Sequence, residues 1–194
     1  MSRRLRDRWL LLVLCALAVS AGCLSVSMEG GDADTDAPTT TTPQSGVTVR
    51  VTDVADGDTL DVRFPDGRED TVRLLGVDTP EIHVENDPEE FEGVPDTEAG
   101  RSCLRRHGER ASEFAVDRLA DRRIRLDFDD AAGRRGGYDR LLAYVVVDDR
   151  SFNAALLERG YARLYDSAFR ERDRYASLER EAREAGRGVW ACAS

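Results

Sequence analysis

The sequence predicts an α+β fold in which a five-stranded OB-type barrel carries three α-helices. Three observations predict it: a meander of alternating apolar and polar residues near the start, two further apolar strands, and helix-period spacing between and after those strands. Val47–Val54 and Thr59–Phe64 read as the first two strands, P-D-G-R at Pro65–Arg68 as a turn, and Asp70–Val77 as a third strand. Ala111, Phe114, Ala115 and Leu119 fall on one helical face, which predicts a helix over Gly108–Ala120. Arg123–Phe128 and Leu141–Val147 complete the strands, with Asp148-Asp149 turning into a helix over Ser151–Arg159. A last helix is expected over Ala168–Ala185, stopped by Gly186-Arg187-Gly188; following a helix, that triplet reads as a stop rather than a phosphate loop.

Chemistry concentrates in two stretches, D-G-D-T at Asp56–Thr59 and R-L-L-G-V-D-T-P-E at Arg73–Glu81. Hard divalent cations such as calcium take oxygen ligands, so Asp58 and Asp78 supply the core of such a site. Thr79 precedes Pro80 and is pushed toward extended geometry, which turns its carbonyl and the Glu81 side chain toward the same cavity. A carboxylate beside a metal-bound water serves as a general base. Farther on, G-G-Y-D-R-L-L-A-Y at Gly136–Tyr144 places Arg140 at the head of an apolar strand. Phosphodiester hydrolysis builds negative charge on nonbridging oxygens, and a guanidinium meets two such oxygens while keeping its charge at any working pH. Taken singly, each motif has a plainer reading, as a turn, a strand exit or a solvated arginine. Their joint occurrence in one order carries the inference.

In order and spacing, D-G-D-T, R-L-L-x-V-D-T-P-E, Y-x-R-x-L-A-Y and S-F-N-A-A-L-L-E-R-G-Y-A resemble the staphylococcal nuclease (thermonuclease) family, over roughly Val47–Trp190. The resemblance implies that Asp58, Asp78 and the Thr79 carbonyl bind Ca2+. It also implies that Glu81 serves the attacking water and that Arg73 and Arg140 hold the phosphate. Tyr138 resembles the family tyrosine near the nucleotide, and Tyr161 and Tyr165 lie where the family places aromatic contacts for a base. The expected partner is single-stranded DNA or RNA, bound by a monomer across the face that OB-type barrels use for oligonucleotides. The competing reading is a noncatalytic OB module that binds nucleic acid or protein; such modules lose the acidic and arginine positions that this chain retains.

The chain has 194 residues and divides on sequence into an export signal (1–22), a stalk (23–46) and a nuclease-like domain (47–194). A basic start, M-S-R-R-L-R-D-R, precedes an apolar stretch from Trp9 to Gly22 that is too short for a membrane span. Arg3-Arg4 points to twin-arginine export. Ser20-Ala21-Gly22-Cys23 resembles a lipobox, which would lipidate Cys23 and anchor the protein on the outer face of the cell membrane. Ser20 stands where a larger aliphatic residue is usual, so ordinary cleavage with unmodified Cys23 stays open. The Asp-, Thr-, Gly- and Pro-rich run that follows cannot bury enough apolar surface to order itself.

Net charge is −10, all 28 basic residues are Arg, and four of them lie in residues 1–22. An acidic, lysine-free surface suits a haloarchaeal-type protein kept soluble in concentrated salt. It also opposes binding of a polyanion. A local positive spot of Arg73, Arg134, Arg135 and Arg140, helped by the metal, is expected to relieve that conflict only in part. Glu81–Glu98 holds eight acidic residues and no basic one, and reads either as a solvated loop or as a lid or extra cation site. Cys103 and Cys192 are the two cysteines of the domain, with Cys103 expected to precede the first helix, and an exported protein is expected to join them as a disulfide. His83 and His107 have no partner pattern, read as loop or surface residues, and give no reason to expect zinc.

Overall fold

A computed structural model describes residues 46–193. The expected signal, Cys23 and all but the last residue of the expected stalk lie outside the described residues. Strands β1 (Val47–Val54), β2 (Thr59–Arg63) and β3 (Glu69–Leu74) form the antiparallel meander, and β5 (Arg123–Asp127) pairs with the far side of β1. Strand β6 (Leu141–Val147) runs antiparallel to β5 and parallel to β3, so the five strands close into a barrel. Inward residues of alternating period fill it: Val49, Val51, Leu60, Val62, Val72, Leu74, Ile124, Leu126, Ala143 and Val145 are buried. The predicted barrel and its three helices are therefore present.

The predicted third strand is two strands in fact. It breaks after Leu74, and β4 (Val77–Asp78) leaves the barrel to pair with β8 (Arg163–Leu164) in a separate ladder, Asp78 opposite Arg163. At the other end of β6, Asp148 and Asp149 both adopt positive φ (49° and 57°) and form a two-residue hairpin into β7 (Arg150–Ser151). Ser151 then caps α2 (Phe152–Glu158), its Oγ accepting from Ala154 N at 3.1 Å.

Helix α1 spans Glu98–Leu119, ten residues longer at its start than the apolar spacing indicates. Its N-cap is Thr97, whose side chain accepts from Gly100 N. The added turns are rich in arginine, which hides their apolar stripe, and a mid-helix glycine looks like a boundary. Gly108 is needed for packing instead: a Cβ there would collide with the Pro80 carbonyl, so glycine lets α1 lie against the chain leaving β4. Cys103 consequently sits within α1 rather than before it. Helix α3 (Arg172–Glu184) starts four residues late because Phe169 turns into the core and Asp129 accepts from Arg170 N at 2.7 Å.

A second apolar cluster gathers Phe91 and Val94 of the acidic segment, Leu104 of α1, Ala182 of α3, and Val189, Trp190 and Cys192. The acidic segment is thus packed, not a free loop, and ion pairs Arg101–Glu85, Arg101–Asp96 and Arg183–Glu92 fasten its charged side. Cys103 and Cys192 are joined as expected. This crosslink closes a loop of 89 residues, so the chain-entropy model assigns it about 4.5 kcal/mol. Chemical denaturation of a Cys103→Ser/Cys192→Ser variant should show a loss of about 3 to 5 kcal/mol; a loss under about 1 kcal/mol would mean that apolar packing alone holds this cluster.

Candidate active site

The tight turn between β1 and β2 builds the first wall. Asp56 Oδ1 accepts from Asp58 N at 2.9 Å, the local bond that makes aspartate a turn former. Gly57 lies 2.8 Å, measured from a notional Cβ, from the Ala111 side chain and 2.9 Å from that of Thr79, so a larger residue would force the turn away from both. Asp58 is buried, yet its oxygens are partnered. Oδ2 accepts from Thr79 N at 2.7 Å and Thr79 Oγ1 at 3.0 Å, and Oδ1 accepts from Thr59 Oγ1 at 3.1 Å.

Strands β3 and β4 bring the second wall. Arg73 Nη1 is 3.0 Å from Asp58 Oδ1, its Nη2 donates to Asp78 Oδ1, and its Nη1 also donates to the Val77 carbonyl at 2.7 Å. One guanidinium therefore spans both carboxylates that the sequence singles out. Arg163 approaches Asp78 from the other side, Nη2 to Oδ2 at 2.7 Å. Burial raises the Asp78 carboxyl above the ordinary carboxylate range; Arg73 and Arg163 oppose that rise, while Asp58 and Glu90 add to it. Asp56 is pushed up to about 6, first by burial and then by the charge of Asp58. Buried hard-oxygen donors short of positive charge fit a divalent cation by their chemistry.

These groups share a cleft of about 430 Å3 whose lining includes Asp56, Asp58, Arg73, Asp78, Glu81, Arg140 and Tyr165. Glu81 presents an exposed side chain, while its backbone is pinned by Asn86, which accepts from Glu81 N at 2.8 Å and donates to its carbonyl at 2.9 Å. Arg140 reaches the same end of the barrel because the parallel β3–β6 register sets Arg73 opposite Leu142. Tyr165 is half-exposed on the cleft wall.

The expectations for Tyr161, Arg134, Arg135 and His107 are corrected, and the other singled-out residues fall as follows. Tyr138 is 95% exposed and lies outside the lining of this cleft, its ring 5.5 Å from the Arg140 guanidinium. Tyr161 packs on Phe114 (ring centroids 5.5 Å apart) instead of facing the cleft. Arg135 is paired with Asp70 at 2.7 Å and Arg134 stacks on Phe128, so neither adds positive charge to the cleft. Thr79 acts visibly through its N–H and hydroxyl on Asp58. His107 is buried in α1 near Cys103 and Cys192, not on the surface, and burial lowers its pKa; the bonded sulfurs leave that group no thiolate for a metal. His83 is exposed, as expected, with Nε2 3.1 Å from the Ala55 carbonyl.

Sequence reasoning missed Asp56 as a cleft carboxylate, although it stands in the same D-G-D-T turn. It also missed Arg163, which no motif marks.

A closed barrel whose rim carries four carboxylates and two arginines in one cleft defines the class as an OB-type domain with a charged catalytic-type site. The family model for staphylococcal nuclease homologues matches residues 71–192, and the chain belongs to that family. It is 39% identical over 148 residues to the uncharacterized protein MJ1439 of Methanocaldococcus jannaschii, covering 73% of this chain and 70% of that protein. It is 35% identical to the endonuclease YncB of Bacillus subtilis, over 74% of this chain and 62% of YncB. It is 30% identical to the thermonuclease of Staphylococcus hyicus, over 74% of this chain and 75% of that protein.

The raised Asp56 carboxyl makes a stability prediction. Its folded pKa exceeds the ordinary 3.8, so its contribution is present below that value and is lost as pH rises toward about 6. With calcium chelated, an Asp56→Asn variant should gain stability relative to wild type between about pH 4 and about pH 7 in denaturant titrations. A difference that does not vary with pH would show that Asp56 titrates normally.

Proposed function

We propose that this protein is an exported, calcium-dependent nuclease that hydrolyses phosphodiester bonds of single-stranded DNA or RNA. The observation that carries this reading is the shared cleft, where Asp58, Asp78 and Glu81 line the same space as Arg73 and Arg140. Family membership and the printed names of the endonuclease and thermonuclease relatives support it.

Asp58, Asp78 and the Thr79 carbonyl would hold the calcium ion, with Asp56 adding negative charge nearby. When bound, the ion supplies Lewis-acid stabilisation of the phosphate and a more acidic water. Glu81, exposed on the cleft wall, takes the proton from the attacking water. Arg140 at the rim meets nonbridging oxygens as charge develops on them, and Arg73 contributes a second fork from the floor. Tyr165 offers a ring to a base, whereas Tyr138 reaches substrate only where the strand extends past the rim. The protein acts as a monomer.

Export rests on the basic and apolar start at residues 1–22, and anchoring on Cys23 followed by an Asp- and Thr-rich stalk. The lysine-free acidic composition supports work in concentrated salt, where arginine-rich cleft contacts replace a basic surface.

Purified protein incubated with single-stranded DNA or RNA should cleave when calcium is present and stop on chelation. Absence of calcium-dependent cleavage at every salt concentration would favour the noncatalytic binding module. In the same assay, Glu81→Gln should keep calcium binding but lose about 10² to 10⁴ in turnover; wild-type turnover would remove Glu81 from the base role. Arg140→Lys should lower kcat with little change in KM, because charge is kept and the fork is lost. For the tether, mass spectrometry of protein from native membranes should find a lipid on Cys23, and protein found only in the medium with Cys23 unmodified would refute the anchor.

A further inference from the structure

Asp78 is held from two sides, and the outer hold comes from a residue outside the cleft. Arg163 is absent from the cleft lining, but its Nη2 lies 2.7 Å from Asp78 Oδ2 and 3.3 Å from Glu90 Oε2. Backbone pairing aligns the two residues, since Asp78 and Arg163 are cross-strand partners in the β4–β8 ladder. The guanidinium also stands 5.6 Å from the Phe91 ring centroid, and Phe91 is buried on Trp190 in the cluster stapled by the disulfide. Arg163 keeps this position although its buried Nε has no hydrogen-bond partner among the described residues, an arrangement that carries an energetic cost. A side chain optimised for stability alone would avoid that cost.

We propose that Arg163 is a positioning residue for Asp78, and that the acidic segment, through Glu90 and Phe91, fixes Arg163 and so sets the orientation of the cleft carboxylate. This rests on the calcium reading above. Asp78 Oδ1 is engaged by Arg73 and Oδ2 by Arg163, so the carboxylate plane is determined before any cation or substrate enters. Outer partners of this kind set metal affinity by orienting the ligand. The segment Glu81–Glu98 is then neither a mobile lid nor a second cation site. It is a brace whose acidic side chain, Glu90, holds the arginine that holds the ligand.

Removing a positive charge beside a cation site would by itself tighten binding, so the test must keep charge constant. Arg163→Lys does so, losing only the fork that reaches Asp78 and Glu90 together. Calorimetric titration of calcium into the disulfide-intact full protein, in about 1 M salt to screen distant charges, should give a dissociation constant raised about tenfold. Turnover at saturating calcium should remain near wild type, a split that a general loss of structure would not produce. Glu90→Gln is the second arm, with Glu89→Gln as its control, since both remove one exposed charge and only Glu90 touches Arg163. Glu90→Gln should weaken calcium binding several-fold more than Glu89→Gln, and the excess should vanish in the Arg163→Lys background. If Arg163→Lys fails to fold, by circular dichroism, the Glu90 and Glu89 pair carries the test. Wild-type calcium affinity in Arg163→Lys, or equal effects of the two glutamate variants, would overturn the proposal while leaving the calcium reading intact. Wild-type protein that binds no calcium would overturn both.

Discussion

The parallel pairing of β3 with β6 is the contact on which the rest of the molecule depends. It closes the barrel, and it brings a strand carrying Arg73 beside one that begins just after Arg140. The closure is reinforced from inside by Asn153 of α2, a fully buried amide. Its Oδ1 accepts from Val145 N at 2.9 Å, and its Nδ2 donates to the carbonyls of Leu75 at 2.9 Å and Ala143 at 3.3 Å. A buried amide satisfied this fully specifies one arrangement, because any shift of α2 leaves several polar groups without partners in an apolar surround. Just beyond that seam the chain leaves the barrel, and Asp78 follows within three residues of Leu75.

Charge in the cleft is organised against burial. Asp58 and Asp78 lie in low-dielectric surroundings where an isolated carboxylate would be costly, and Arg73 bridges them while Thr79 donates twice to Asp58. The compensation is incomplete, which is why the carboxyls of Asp56 and Asp78 are raised. Elsewhere the arginines are mostly spent on local acids, as in Arg135 with Asp70 and Arg122 with Asp148. Among the described residues Arg73 and Arg140 line the cleft, and Arg73 is already shared between Asp58 and Asp78.

A second structural theme links the C-terminus to the site. The disulfide, Phe91, Trp190 and the ion pairs of Arg101 and Arg183 turn an acidic insertion into a packed buttress. From composition alone, eight acids in eighteen residues look like solvated loop. The packing of two apolar residues among them, Phe91 and Val94, changes that reading because both join a buried cluster with Leu104, Ala182 and Trp190.

What the sequence determined by itself was whatever depends on local periodicity and on short fixed spacings. Alternation marked β1 and β2, apolar runs marked β5 and β6, and D-G-D-T with V-D-T-P-E marked Asp58, Asp78 and Glu81, since a turn or a strand exit fixes neighbours within a few residues. The pairing of Cys103 with Cys192 followed from there being only two cysteines in the domain. Only the tertiary structure decided the break after Leu74, the early start of α1, the burial of His107 and the place of Arg163. Each of these involves a partner far away in sequence: β8 for β4, the Pro80 carbonyl for Gly108 of α1, Cys192 for His107, and Asp78 with Glu90 for Arg163. Long-range pairing leaves no periodic trace in either strand, so an arginine across a two-residue ladder looks, in one dimension, like any other surface charge.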